Sequence, residues 1–244
     1  MNISYSLFTD TGDHDPNEDT IGMTKAEDNY VFVLADGLGG HGSGEVASQL
    51  AVKTSIELFE KEQLINTYIA EAFEQSQKEI LKKQRDEHCV NGMKTTMVIL
   101  MVTSDKIKWG HIGDSRLYYF RKNRLIKRTF DHSVPQMLVA AHKLKEKEIR
   151  NHPDRNRLLR VLGTDWEEPK YEIAETIKIE NGKKQAFLLC TDGFWELIEE
   201  KDMIKALKKA KTAEEWLYTM SEIVKKNGEK RKKDNFSAIA VLID

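Results

Sequence analysis

Two apolar stretches of this 244-residue sequence run into the same dipeptide: YVFVLA meets Asp36-Gly37, and AFLLC, after one threonine, meets Asp192-Gly193. A third carboxylate, Asp114, follows the run ending HIG, and a fourth, Asp234, stands just before the terminal run FSAIAVLI. Glu18 and Asp19 add an acidic pair near the N-terminus, in PNED. A single Asp-Gly reads as a turn, because glycine tolerates positive φ and the pair is favoured in hairpins. Repetition at several strand ends changes that balance. Acidic side chains at the ends of strands in one packed sheet system converge, and converging carboxylates repel unless a cation neutralises them. With oxygen ligands only, no H-E-x-x-H and no closely spaced cysteine pair, the expected ions are Mg²⁺ or Mn²⁺ rather than Zn²⁺. Such a cluster suits two ions about 4 Å apart around a shared water, the arrangement used in hydrolytic phosphoryl transfer.

Other chemistries fit less well. Gly37, Gly39 and Gly42 satisfy G-x-G-x-x-G after an apolar run. Asp36 at that strand end would repel a pyrophosphate, however, and no second parallel β unit follows. No G-K-[ST] closes the glycines, which excludes a P-loop. The adjacent residues Asp131, His132 and Ser133 cannot converge like a hydrolase triad, no G-x-S-x-G is present, and the segment reads as a turn.

Short β-type runs that could position the carboxylates recur at Tyr30 to Ala35, Thr96 to Val102, Ile107 to Ile112, Arg116 to Phe120, Gln185 to Cys190 and Phe236 to Ile243. The polar links Thr103 to Lys106 and Arg121 to Arg124 suggest antiparallel meanders. Between the first two runs the stretch EVASQLAVKTSIELF looks helical, and Leu64, Ile65, Tyr68, Ile69, Ala72, Phe73 and Ile80 gather on one helical face. Met203, Ile204 and Leu207, then Trp216, Met220, Ile223 and Val224, predict a second helical pair. Lys225 to Lys233, KKNGEKRKK, reads as a solvated basic loop.

Composition sets the outer limits. With 40% hydrophobic and 32% charged residues, the chain carries enough apolar material for a sizeable core and lacks the bias of disordered chains. One domain over 1–244 is expected, since no Pro-, Ser- or Gly-rich linker divides it. The 38 basic and 40 acidic residues leave a formal charge of −2, so no global field favours nucleic acid or anionic lipid. No apolar run approaches the roughly 20 residues of a membrane span. The N-terminal stretch lacks a signal-peptide pattern, so a cytoplasmic location is expected. Cys190, inside AFLLC, reads as a reduced, packed thiol rather than half of a disulfide with Cys89.

Taken in order, TDTG, NED, ADGLGGHGSGEVAS, KTTMVIL, GHIGDSRLYYF, DHSVPQML, NHPDRNRLLRVLG, LLCTDGFWEL and DNFSAIAV resemble the bacterial metal-dependent Ser/Thr protein phosphatases of type 2C along the full chain. The resemblance implies an α+β fold: a sandwich of two antiparallel β-sheets flanked by helix pairs, in four layers. It implies two Mn²⁺ or Mg²⁺ ions. Asp36 would bridge them, with Asp192 and Asp234 completing one site and Glu18 and the Gly37 carbonyl the other. Asp19 would orient bound water, and Asp114, with Asp192, would mark a third ion. The activity implied is hydrolysis of phosphoserine and phosphothreonine in proteins by a metal-bridged water, without a phosphoenzyme, opposing a bacterial Ser/Thr kinase. A monomer is expected.

This sequence departs from the family pattern in several places. His14 stands where relatives place a phosphate-gripping Arg, which would make phosphate binding weaker or pH-dependent. Leu38 replaces the histidine that many eukaryotic members carry after the bridging Asp-Gly, leaving His41 as the candidate proton donor against the plainer reading of a loop histidine. Lys94 stands where relatives often have Gly. The segment 138–163 resembles a flap bordering the site, from which Arg155, Arg157 and Arg160 are candidates for substrate contact. Two rivals share the fold: a catalytically weak or inactive phosphoprotein-binding relative, and a phosphatase of small esters.

Overall fold

The apolar runs form strands that are buried on both faces. The computed structural model describes residues 2–39, 43–62, 66–89, 92–180 and 182–244; the candidate core residues Leu64 and Ile65 and the candidate donor His41 lie outside them. The chain runs β1 (Ile3–Asp10), β2 (Asp19–Ala26), β3 (Asn29–Leu38), α1 (Ser43–Glu62), α2 (Tyr68–Asp86), β4 (Lys94–Thr95), β5 (Met97–Val102), β6 (Lys106–Ile112), β7 (Arg116–Arg121) and β8 (Arg124–Arg128). It continues through α3 (Val134–Ala140), a 3₁₀ turn (Glu146–Asn151), β9 (Glu172–Ile173), β10 (Ile177–Lys178), β11 (Gln185–Cys190), α4 (Asp192–Trp195), α5 (Glu200–Lys209), α6 (Ala213–Gly228) and β12 (Phe236–Ile243). One sheet has the order β1-β12-β11-β7-β8; the other has β10-β6-β5-β3-β2, with β4 on β3 and β9 on β6. Every pairing is antiparallel.

Alternation along each strand distributes side chains between layers. From β3, Phe32 and Leu34 point between the sheets, where they join Leu100, Trp109, Phe187, Leu189 and Val241. Val31, Val33 and Ala35 point the other way, against Phe59, Tyr68, Ala72 and Phe73 of α1 and α2. On the outer face of the five-stranded sheet, Phe120, Leu188, Cys190 and Ala240 meet Met203, Leu207, Trp216 and Met220 of α5 and α6. The result is the expected four-layer α+β sandwich. Antiparallel sheets with one solvated face alternate apolar and polar residues; these are covered on both sides, so their central strands read as unbroken apolar runs.

Edges differ. β1, β2 and β8 have no apolar run and are only partly buried; β8, RLIKR, carries charges of the kind that keep a sheet edge from pairing with another chain. The β7–β8 hairpin turns at Lys122 and Asn123, both at positive φ. The segment 138–163 begins within α3, which is capped by Ser133 accepting from the Gln136 amide. Bridges Ser133–Leu158 and Thr95–Leu162 tie it to the body of the fold. No helix among the described residues is long and apolar enough to cross a membrane.

Candidate metal centre

Topology brings the carboxylates together. β3 and β6 are both antiparallel to β5, so the ends carrying Asp36 and leading to Asp114 lie at the same end of one sheet. β2 returns against β3 with Asp19 registered opposite Asp36. In the other sheet β11 ends just before Asp192, and antiparallel β12 begins just after Asp234. Glu18, Asp36, Gly37, Asp114, Asp192 and Asp234 thereby line one cavity of about 190 Å³, alongside Leu38, Gly39, Asn156, Leu158 and Asn235.

Neighbouring polar groups fix each strand end. The Glu18 amide donates to Asn235 Oδ1 at 2.8 Å, and the Glu18 carbonyl accepts from the Gly37 amide at 3.0 Å and the Ser48 hydroxyl at 2.6 Å. Asn235 Nδ2 donates to the carbonyls of Thr11 and His14, splinting the N-terminal loop to the start of β12. The Asp36 amide donates to Thr96 Oγ1, and its carbonyl accepts from the Thr95 hydroxyl and the Thr96 amide. Trp195 Nε1 donates to the Asp114 carbonyl at 3.0 Å. The glycines after the two aspartates serve close approach rather than a simple turn. A Cβ on Gly37 would lie 2.2 Å from the Gly44 carbonyl oxygen, and one on Gly193 2.2 Å from that of Asn235.

The packed carboxylates disfavour one another's charge. Asp36 and Asp192 are partly exposed to the cavity, yet desolvation pushes both well above the ordinary range, with Asp19, Asp114 and Asp234 adding repulsion. Asp19 and Asp114 are each pushed up to about 7, chiefly by burial. Glu18 is raised by burial and by Asp234. Thr191 donates to Asp19 Oδ2 at 3.0 Å, while Asp19 Oδ1 is buried without a partner. Oxygen donors alone, crowded beyond what protons comfortably neutralise and including an orphaned buried oxygen, fit hard divalent cations such as Mn²⁺ and Mg²⁺.

This crowding has a stability signature. Without a cation the folded chain retains protons on Asp19 and Asp114 up to about pH 7, whereas the unfolded chain releases them near 3.8. Their contribution is therefore present below the unfolded value and is lost as pH rises through 7. The melting temperature of the cation-free protein should fall between pH 5.5 and 8. Saturating Mn²⁺ should raise it by about 5–10 °C, more at pH 8 than at pH 5.5. Differential scanning fluorimetry decides this, and a melting point indifferent to Mn²⁺ at both pH values contradicts it.

His14 and Arg155 do not line the carboxylate cavity. They line an adjoining one of about 550 Å³ that shares Asp192 and Asp234. Arg155 Nε is engaged by Glu196 at 2.8 Å, and Arg160 by Glu172 at 3.4 Å; Arg157 lines neither cavity. Most of Lys225 to Lys233 is exposed, in keeping with the solvated reading, but the run is only partly a loop: it begins in the last turn of α6, and Arg231, Lys232 and Lys233 line the larger cavity. Asp131-His132-Ser133 is likewise more than a turn. Asp131 is a buried partner of Arg116, Ser133 caps α3, and His132 belongs to a group with His111 and Glu172. That group resembles a ligand set, but His132 Nδ1 accepts from the Gly113 amide at 3.2 Å, which puts the ring proton on Nε2, 3.2 Å from Glu172 Oε1. Burial and His111 hold His132 down to about 4, hence neutral at physiological pH. The group braces the residue before Asp114 and offers no lone pair at Nε2.

Residues 11–235 match the family described as protein phosphatase 2C. The serine/threonine phosphatase stp of Listeria monocytogenes is 33% identical over 207 residues, covering 82% of this chain and 80% of that protein. The solved structure of Stp1 from Staphylococcus aureus superposes with a TM-score of 0.88 at 28% identity, covering 100% of this chain and 96% of that one. The catalytic domain of the phosphatase PstP, solved in complex with two manganese ions, gives 0.83 at 26% identity, with 99% of each chain covered. A double antiparallel sandwich with a crowded carboxylate cluster at one end is the architecture of metal-dependent phosphatases. The chain belongs to the protein phosphatase 2C family.

Proposed function

We propose that the protein hydrolyses phosphoserine and phosphothreonine in proteins, using Mn²⁺ or Mg²⁺. The observation that carries this reading is the convergence of Glu18, Asp36, Asp114, Asp192 and Asp234 on one cavity, in a chain whose relatives reported above are named serine/threonine phosphatases. The inactive-relative alternative is not favoured. In this assignment Asp36, Asp192 and Asp234 would hold one ion, Asp36 with Glu18 and the Gly37 carbonyl a second, and Asp114 with Asp192 a third. Bound there, the cations supply charge neutralisation and the Lewis acidity that activates water for attack on phosphorus. The chain's own groups orient the reaction. Thr191 holds one oxygen of Asp19 and leaves the other buried and unpartnered on the strand position opposite Asp36, as an acceptor held next to the centre. The basic wall formed by His14 and its neighbours draws the phosphoryl group in.

The flap reading of 138–163 is supported by Asn156 and Leu158, which line the carboxylate cavity. We further infer a single-domain monomer, because all of these groups come from one chain, and substrates supplied by a Ser/Thr kinase. The two free cysteines suit the reducing cytoplasm. The test is phosphate release from an aryl phosphate and from a phosphothreonine peptide in excess EDTA, Mg²⁺ or Mn²⁺. Release from both that requires metal is expected; none with metal, or equal release in EDTA, overturns the reading. Peptide turnover with higher kcat/KM than the aryl ester separates a protein phosphatase from one of small esters.

A further inference from the structure

The 550 Å³ cavity beside the carboxylate cluster has a strongly basic wall: Arg150 and Arg155 on one side, Arg231, Lys232 and Lys233 on the other. Two of these cations are already engaged. Arg150 donates to Glu200 at 2.7 Å and to the Trp195 carbonyl at 2.8 Å, and Arg155 is held by Glu196. The other three have no carboxylate partner on their side chains among the described residues. The segment bearing them is nevertheless anchored. The Lys233 amide donates to Asp13 Oδ2 at 2.8 Å, its carbonyl accepts from the Asp13 amide at 3.0 Å, and its aliphatic stem packs over Gly228. The remaining acids of the cavity, Asp192 and Asp234, belong to the cluster that cations neutralise. Loading the centre therefore leaves Arg231, Lys232 and Lys233 uncompensated beside the reacting phosphoryl group.

We infer that this cavity is a second anion subsite, which selects phosphoproteins carrying an acidic side chain or a second phosphoryl group next to the residue being dephosphorylated. The inference rests on the phosphatase reading above. A compact volume of this size is roughly 8 Å across, the reach of two or three extended residues, so the anion read lies within that distance of the scissile ester. Partly exposed pairs of this kind are individually weak; three acting together in a cleft give discrimination of roughly tenfold between an acidic and a basic neighbour, weakening with salt.

The test uses four phosphothreonine peptides of one sequence whose flanking positions are Ala, Glu, Lys or phosphoserine, with the intact protein in Mn²⁺ at low salt. Expected is a kcat/KM ratio of Glu- to Lys-flanked peptide of roughly ten, carried by KM and falling towards one in 1 M salt. The phosphoserine-flanked peptide distinguishes a phosphate reader, which prefers it to Glu, from a general anion reader, which treats both alike. Arg231 and Lys232 are exposed, and the double variant Arg231→Glu/Lys232→Glu should drive the Glu:Lys ratio below one; either single change should move it part-way. The ratio is measured within one protein, so a general loss of activity cancels. A wild-type ratio near one, or a ratio unchanged in the variants, overturns the subsite. Absence of aryl phosphate hydrolysis would instead remove the phosphatase reading, and Kd values for the same peptides by fluorescence anisotropy would then decide the subsite by the same ratio.

Discussion

Asp192→Asn is expected to lower metal-dependent hydrolysis of a phosphothreonine peptide roughly a thousandfold, equivalent to about 4 kcal/mol of lost charge stabilisation. The amide keeps the volume of the carboxylate and removes its charge from a cavity it shares with Asp114 and Asp234. The same change should not weaken the cation-free fold. Asp192 is held well above the ordinary carboxylate range by desolvation and by Asp114, Glu196 and Asp234, so the folded chain pays for its ionisation at neutral pH. Removing one of these mutually repelling groups should leave the melting temperature of the EDTA-treated variant at or above that of the wild type at pH 8. The Mn²⁺-induced rise in melting temperature should shrink. Activity within a few-fold of wild type, or a large loss of cation-free stability, would mean that Asp192 serves the fold rather than the metal.

What the sequence disclosed follows from which interactions are local. β3, β5, β11 and β12 were legible because burial on both faces makes them continuous apolar runs, and the helical pairs because their buried positions keep the 3–4 spacing. β1, β2 and β8 were not, since edge strands are half-solvated and bear polar residues. In the site, each candidate carboxylate adjoins a strand end, so composition at the end of a run marks it. The groups that hold those carboxylates act across the fold: Asn235 reaches back to Glu18, Thr191 to Asp19 and Trp195 to Asp114. No local pattern encodes such pairings. The basic run shows the same limit. Lys225 to Lys233 has one composition whether it is solvated or faces a cavity, and only the packing of Lys233 against Asp13 and Gly228 distinguishes the two. The glycines of both Asp-Gly pairs also misled in part, because a turn and a close backbone approach demand the same missing Cβ.

Arg116→Met should cost about 3–5 kcal/mol of stability, because it breaks a buried ion pair from one side. The Arg116 side chain is only 3% exposed, and its Nε and Nη2 bind the two Asp131 oxygens at 2.7 and 2.6 Å. Nη1 donates to the Tyr118 hydroxyl at 3.0 Å. Burial alone would raise the Asp131 carboxyl; Arg116 overrides it and holds the group below its ordinary range. With methionine in place, Asp131 keeps Arg128, at 3.2 Å, but should take up a proton far more readily, so the variant's deficit should narrow as pH falls. A urea titration showing a loss below 1 kcal/mol would refute this account. The guanidinium also lies 3.3 Å above the Trp195 ring, whose indole N–H holds the Asp114 carbonyl. Arg116 thus connects the core of the five-stranded sheet to the carboxylate cluster. Replacing both partners, as Arg116→Met/Asp131→Leu, removes the stranded charge and leaves Arg128 with Gln136 and Glu146. That double variant should regain most of the lost stability but not full turnover, since the guanidinium packed on the Trp195 ring is then gone and Arg150, 5.5 Å from the ring centre, holds the indole on Asp114 less closely. Recovery of both together would confine the pair to a structural role.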